Sequence, residues 1–251
     1  MTDLRTIFGE DAEHYDRHRP GYPDPLFDRL PTGRTLEIGC GTGKATVPLA
    51  QRGHQVTALD LSPAMAAVAR RNLTRFPDVK VVVGEFETWP LPAEPFDLVL
   101  AATAFHWLNP ATRTAKAAAA LRPGGTLALI STHHVAGDTR YDEFFANAQA
   151  CYERFDPSTP PGLRLTPAAE IPKDTTDFTA RFGPVEFHRC EWDRAYTAPQ
   201  YLDLLMTYSG HRALPPDRRA ALFACLTTLI SQYGGRITKR FMTELALAQR
   251  L

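Results

Sequence analysis

The sequence predicts a doubly wound α/β fold, and three observations carry that prediction. From about residue 34, short runs rich in Val, Leu and Ile alternate with stretches of helical length and pattern. Runs such as Val81-Val82-Val83 and Leu98-Val99-Leu100 are continuously apolar, which suits parallel strands covered on both faces. The first run, Leu36-Glu37-Ile38, stops abruptly in Gly39-Cys40-Gly41-Thr42-Gly43 and is followed by a helical stretch. A strand–turn–helix unit of that kind, repeated, builds a parallel sheet with right-handed crossovers.

The elements follow in order. Residues 1–32 read as a helical lead-in broken by Pro20, Pro23 and Pro25. Residues 35–38 form a strand and 44–52 a helix, with Gly53 as its stop. Residues 55–59 form the second strand. Ser62 caps the next helix and Pro63 fills its first position. Residues 79–83 and 97–101 are strands, 110–121 an Ala-rich helix and 126–131 a fifth strand. The character changes near residue 135. A helix over 137–155 carries Tyr141, Phe144, Phe145 and Tyr152, and a Pro-rich connection spans 156–161. Residues 186–192 alternate like a strand, while 199–208 and 215–233 read as helices. In 238–248, Phe241, Thr243 and Leu245 recur with period two, whereas Glu244-Leu245-Ala246-Leu247-Ala248 has helical propensity. There is no internal repeat and no low-complexity region. The predicted organisation is a lid at 1–32, a ligand-binding core at 33–135, and a C-terminal half at 136–251 that completes the sheet and holds a substrate-cap insert.

Composition narrows the partners. The 251 residues are 44% hydrophobic and 22% charged, in the range of globular proteins. Lys and Arg number 28, as do Asp and Glu, so there is no basic surplus to favour a nucleic acid. The four cysteines (Cys40, Cys151, Cys190, Cys225) include no C-x-x-C pair, so neither zinc nor a disulfide framework is expected. Met1-Thr2-Asp3-Leu4-Arg5 lacks the apolar core of a signal peptide, and no apolar run approaches ~20 residues. The expectation is a cytoplasmic protein without a membrane or nucleic-acid partner, with a homodimer as the assembly considered.

The glycine turn indicates the ligand. Glycine adopts positive φ and has no Cβ, so a ligand can lie against bare backbone, and the helix start beyond it favours an anionic or carboxylate-bearing group. A dinucleotide fold wants G-x-G-x-x-G with an acid about 20 residues later. Here the pattern is Glu37-x-Gly39-x-Gly41-x-Gly43, with Asp60 closing the second apolar run, where it can accept from ribose hydroxyls. Both readings predict Asp60; the glycine spacing and Glu37 point away from NAD.

These residues, with others further along, resemble the class I S-adenosylmethionine-dependent methyltransferases, specifically the small-molecule group called type 11. Glu37–Gly43 resembles the first motif of that family and Asp60-Leu61-Ser62-Pro63-Ala64-Met65 the second. Gly84-Glu85-Phe86-Glu87 stands where Gly-Asp-Ala is usual. Phe96-Asp97-Leu98-Val99, Phe105-His106-Trp107-Leu108 and Leu121-Arg122-Pro123-Gly124-Gly125 follow in family order, so the likeness covers about residues 8–132. The opening Tyr15-Asp16-Arg17-His18-Arg19-Pro20-Gly21-Tyr22-Pro23 is further similar to trans-aconitate methyltransferase-like proteins.

The resemblance implies a Rossmann-like, mostly parallel seven-stranded sheet whose last strand, 238–248, is antiparallel. It implies S-adenosylmethionine as cofactor and methyl transfer to a small molecule, at a carboxylate or hydroxyl oxygen. The amino-acid tail would lie on Gly39, Gly41 and Gly43, with Glu37 holding its ammonium. Asp60 would take the ribose. Leu61, Met65, Glu85 and Phe86 would frame the adenine, Glu85 being one methylene longer than the usual Asp. Ala101 and Phe105 complete the cofactor set at the end of the fourth strand. Tyr15, Arg19 and Tyr22 would form a lid, and Arg19 would pair with a carboxylate. His106 is the catalytic base candidate, placed at the carboxyl edge of the sheet; Trp107 would wall the pocket. His133 and His134 face the same edge, but no metal is assigned. No Asn-Pro-Pro-Tyr-like sequence follows the fourth strand, which disfavours amide or nucleobase nitrogen as acceptor. A non-catalytic nucleotide or cofactor binder and an NAD-dependent oxidoreductase are the alternatives.

Overall fold

The computed structural model of the chain describes residues 7–178 and 180–251; the reading of the first six residues lies outside them. A 3-10 turn (Ile7–Asp11) leads to α1 (Ala12–His18) and α2 (Asp24–Phe27). Then β1 (Arg34–Ile38), α3 (Thr46–Gln51), β2 (Gln55–Asp60), α4 (Pro63–Asn72), β3 (Val79–Val83) and β4 (Phe96–Ala102) alternate. After α5 (Arg113–Ala120) come β5 (Leu121–His134), α6 (Thr139–Phe155), β6 (Glu186–Thr197), α7 (Ala198–Leu205), α8 (Ser209–Ala213), α9 (Pro216–Gln232) and β7 (Arg236–Gln249).

These strands form one seven-stranded sheet in the order β3-β2-β1-β4-β5-β7-β6. The first five are parallel, and β7 runs antiparallel to both β5 and β6. The order reverses between β1 and β4, the switch point where open α/β sheets bind ligands beyond the strands' carboxyl ends.

Period-two alternation buries both faces of the sheet. Val99 and Ala101 pack with Phe96, Leu121 and the alanines of α5 on one side. Leu98, Leu100 and Ala102 pack with Leu26, Phe27, Leu49 and Ala69 from α2, α3 and α4 on the other. A third cluster lies outside the sheet. Phe144 and Ala148 of α6, Tyr201, Leu204 and Leu205 of α7, and Leu222, Leu226 and Ile230 of α9 enclose Ile237 and Phe241 of β7. The insert therefore has its own core, built on the end of β7 that pairs with β6 beyond the last residue of β5.

Local chemistry accounts for the boundaries. The Ser62 side chain accepts from Met65 N, with Pro63 following at N1. Asp138 caps α6, which starts two residues later than its aromatic pattern predicts. The helix expected from residue 44 begins at Thr46, because the glycine turn continues through Ala45. The fifth strand already begins at Leu121: Phe96 pairs Leu121 and Leu98 pairs Thr126, so 122–125 bulge out of the ladder.

One expectation is overturned. Cys151 of α6 and Cys225 of α9 form a disulfide across 74 residues, with Cα atoms 5.9 Å apart. Cys40 and Cys190 are free. The spacing of the four cysteines suggests no disulfide framework; the pair forms because α6 packs on α9. Two thiols per unfolded, unreduced chain are expected by thiol titration, and four after reduction. Chain-entropy loss for a loop of this length corresponds to about 4 kcal/mol, so reductant should lower the thermal midpoint. Four thiols before reduction would refute the pairing. Among the described residues no helix is long and apolar enough to cross a membrane.

Candidate active site

The glycine turn is tied down at the end of β2. Leu59 O accepts from Gly39 N at 2.8 Å and from Cys40 N at 3.0 Å. Gly39 has φ +69°, and a Cβ there would meet the Ala104 Cβ at 2.6 Å, so only glycine fits without a shift. Asp60 closes the turn from below. Its Oδ2 accepts from Gly41 N at 2.7 Å and its Oδ1 from Ser62 N at 2.8 Å. Burial raises its pKa against those two N–H groups, which favour the charged form. Each carboxylate oxygen keeps a second acceptor position.

Above the turn lies a cavity of about 410 Å³. Gly39, Gly41 and Asp60 form its floor. Leu61 and Met65, after β2, and Glu85 and Phe86, after β3, frame one end. Tyr15 and Arg19 close over it from the lead-in, and His106 and Trp107, in the short turn after β4, form another wall. His106 is exposed on one side, and partial burial together with the Arg113 cation lowers its pKa. Met65, expected to be core or wall, is both: it packs with Ala12, Val68 and Tyr15 while bordering the cavity.

Four expected cofactor residues do not line the cavity. Glu37 is 1% exposed and accepts from the Thr46 hydroxyl at 2.6 Å, beneath the turn. Burial pushes its pKa up to about 8. Gly43, with φ +91°, serves the turn and lies against Leu73. Ala101 and Phe105 are buried in the sheet core, because the strand's alternation turns Ala101 away and Phe105 packs with Phe86 and Ala118. These corrections share a cause: a place in or near a strand-end motif does not fix which way a side chain points.

The cavity also draws on residues without a local sequence signal. Thr103, just past β4, has φ +52°, rare for a β-branched residue. Its Oγ1 hydrogen-bonds the Tyr22 hydroxyl at 2.7 Å, so Tyr22 anchors the lid to the end of β4 rather than lining the cavity. Thr132 of β5, and Thr207, Tyr208 and Ser209 after α7, complete the wall. The Arg19 guanidinium stands 4.5 Å over the Tyr208 ring with Nη1 3.5 Å from Thr207 Oγ1, binding lid to insert. The lid is also docked by His14, whose Nε2 lies 3.0 Å from Asp203 O, and by His18, 3.6 Å from the Asp203 carboxylate. These three groups lie close enough to share a metal ion, a spacing that the sequence reading, which assigned no metal, did not anticipate.

Of the adjacent histidines, His133 pairs with Ser131 Oγ at 3.0 Å, and His134 points instead into the insert.

Residues 35–125 match a methyltransferase domain model, spanning both the glycine turn and Asp60. The match overturns the NAD-dependent alternative. An uncharacterised methyltransferase of Mycobacterium tuberculosis is 40% identical over 131 residues, 51% of this chain and 53% of that protein. The chain thus spans about half the length of that relative. Trans-aconitate 2-methyltransferase of Rhizobium meliloti is 28% identical over 246 residues, 88% of each chain. Malonyl-[acyl-carrier protein] O-methyltransferase of Enterobacter lignolyticus is 37% identical over 135 residues, 51% of this chain and 53% of its own. The fold superposes with a TM-score of 0.62 on a protein of Anaeromyxobacter dehalogenans described as a type II methyltransferase candidate, at 22% identity over 92% of this chain and 97% of the other. Domain match, relatives and sheet order agree: residues 35–125 form a methyltransferase domain, and the chain is similar to the class I S-adenosylmethionine-dependent methyltransferases.

Proposed function

We propose that this protein transfers a methyl group from S-adenosylmethionine to an oxygen of a small molecule, a carboxylate or a hydroxyl. The observation that carries the reading is the floor of the cavity. Bare backbone at Gly39, where a Cβ would collide with Ala104, adjoins a carboxylate at Asp60 that keeps acceptor positions for diol hydroxyls. An adenosyl group with an amino-acid tail suits that floor, since Leu61 and Phe86 offer apolar surface beside it. One relative, named an O-methyltransferase, supports oxygen as the acceptor, and another, named a trans-aconitate 2-methyltransferase, supports a small molecule as the substrate.

When bound, the cofactor supplies a methyl group already activated by a positively charged sulfur. The chain's own residues then have three tasks. Gly39, Gly41 and Asp60 hold the donor so that one face of the cavity stays open to the acceptor; such alignment supplies much of the rate in a displacement. Tyr15, Arg19 and Tyr208 cover the cavity and keep water out. His106, held neutral near pH 7 by its lowered pKa, can take the proton of a hydroxyl acceptor. A carboxylate acceptor is already ionised and needs no such base.

Calorimetric titration with S-adenosylhomocysteine tests the reading: one site per chain is expected, and no heat with intact folded protein would refute it. His106→Ala should leave that affinity within about twofold. It should slow methylation of an alcohol or phenol by ~10²-fold or more, as loss of a general base does. Full activity toward such an acceptor would make His106 a wall residue only.

A further inference from the structure

Lys239 is a buried ammonium whose side-chain hydrogen bond goes to a histidine ring. It sits on β7, 5% exposed, within the insert's aromatic core. Its ammonium lies 5.5–5.9 Å from the ring centres of Phe145, Tyr201, Tyr208 and Phe241. Its hydrogen-bond partner is His134 Nδ1 at 3.0 Å. A protonated lysine can only donate, so Nδ1 accepts and the ring proton sits on Nε2, 2.7 Å from the Tyr141 hydroxyl. That hydroxyl is fixed in turn by Arg240 N at 2.6 Å. A buried cation of this kind is normally offset by a carboxylate. Here burial and the nearby Arg19 cation act together and bring the Lys239 pKa down to about 7.

The ammonium borders open space on two sides. An inner cavity of about 150 Å³ is lined by Arg19, Thr103, Thr132, His134, Tyr208 and Lys239. Arg19, Thr103, Thr132 and Tyr208 also line the cofactor cavity, so the two share a wall. An outer cavity of about 520 Å³, bounded by Lys239, His134, Tyr208 and α6, leads away from it. Two cations, Arg19 and Lys239, thus border the space next to the donor.

We infer that this space is the acceptor's seat, and that the acceptor is a small carboxylate-bearing molecule whose carboxylate is held by Lys239 with Arg19 beside it. The inference rests on the methyltransferase reading and adds the substrate class and the residue that selects it. The bound anion supplies the missing countercharge, and the aromatic ring of residues around Lys239 excludes water from the pair, which strengthens it. An uncharged analogue would leave the ammonium buried and unpaired and is rejected on that ground.

The seat is also a titrating one. The other groups facing Lys239 stay constant through neutral pH. Arg19 remains charged. Burial keeps His134, with a pKa near 2, and His211, with a pKa near 4, neutral, and raises the pKa values of Tyr141, Tyr201 and Tyr208. Asp142 and Asp156 border only the outer cavity. Acceptor binding should therefore weaken as pH rises through and above 7, as Lys239 loses its proton.

The test is calorimetry on the full chain with citrate, succinate, 4-hydroxybenzoate and phenylacetate, each against its uncharged amide. Each titration is run with and without S-adenosylhomocysteine, so that failure of the donor site and failure of the acceptor seat are read separately. At least one acid should bind tenfold or more tighter than its amide, and at least tenfold weaker at pH 9 than at pH 6. Lys239→Met should abolish the preference while melting no lower than the wild type at pH 6, since it removes a buried charge. Lys239→Arg should retain the preference at pH 9. If no acid is preferred over its amide at millimolar concentration, or if Lys239→Met keeps the preference, the inference is wrong even where S-adenosylhomocysteine binds.

Discussion

Asp60→Ala is expected to weaken S-adenosylhomocysteine binding by on the order of 1–3 kcal/mol, about 5- to 150-fold in affinity. Two losses combine. The variant removes the acceptors available to a ligand's diol, and it also frees Gly41 N and Ser62 N, the groups that Asp60 now joins across the turn. The glycine turn then loses its tether to the start of α4, and the donor must order it on binding. Asp60→Asn keeps one carbonyl acceptor and should fall between the two. Titration calorimetry at equal folded fraction, checked by thermal melting, gives the comparison. Affinity unchanged in Asp60→Ala would remove this residue from the site and leave the turn without its polar partner.

The second large effect concerns stability. Glu37 has a folded-state pKa of about 8 because burial outweighs its one hydroxyl donor, Thr46. An unfolded glutamate titrates near 4.5. Between these values the native chain binds the extra proton and the unfolded chain does not, so this residue's contribution to stability falls as pH rises from about 4.5 to 8. Glu37→Gln keeps an acceptor for Thr46 and cannot ionise. It should be more stable than the wild type at pH 8, by on the order of 3–5 kcal/mol at the limit. The gap in melting temperature should widen from pH 6 to pH 9. A constant or shrinking gap would mean that Glu37 is charged and paired in the folded protein. A neutral Glu37, by contrast, supports the turn from beneath through Thr46 rather than pairing with an ammonium.

Features that depend on neighbours in sequence were legible before the structure. The glycine spacing, Asp60 at a strand end and the Ser62-Pro63 cap are local chemistry, and each stands where it was read. β7 was legible only with help. The helical propensity of Glu244–Ala248 is worth tenths of a kcal/mol per residue, whereas Leu245, Ala246 and Ala248 gain full burial between β5 and β6. The direction of Glu37, Ala101 and Phe105 was not legible, since a place near a strand end says nothing about which face a side chain takes. Nor was the Cys151–Cys225 pair, whose members are 74 residues apart and meet only because α6 packs on α9. Thr103, Tyr208 and Lys239 reach the site from three separate elements, and their roles arise from tertiary placement alone.

β7 also limits how this protein can be re-engineered. One half of the strand, Ile130↔Leu245 to Thr126↔Gln249, is the structural spine of the catalytic fold; the other half carries Lys239 into the insert. Grafting residues 136–235 from a homologue would bring new cap helices and the edge strand β6 but keep the host's lysine. Grafting through residue 249 would also replace β7, a strand inside the host's sheet. Specificity and scaffold are therefore not separable modules here, and a chimera that swaps acceptors has to match its donor's strand register, not only its loops.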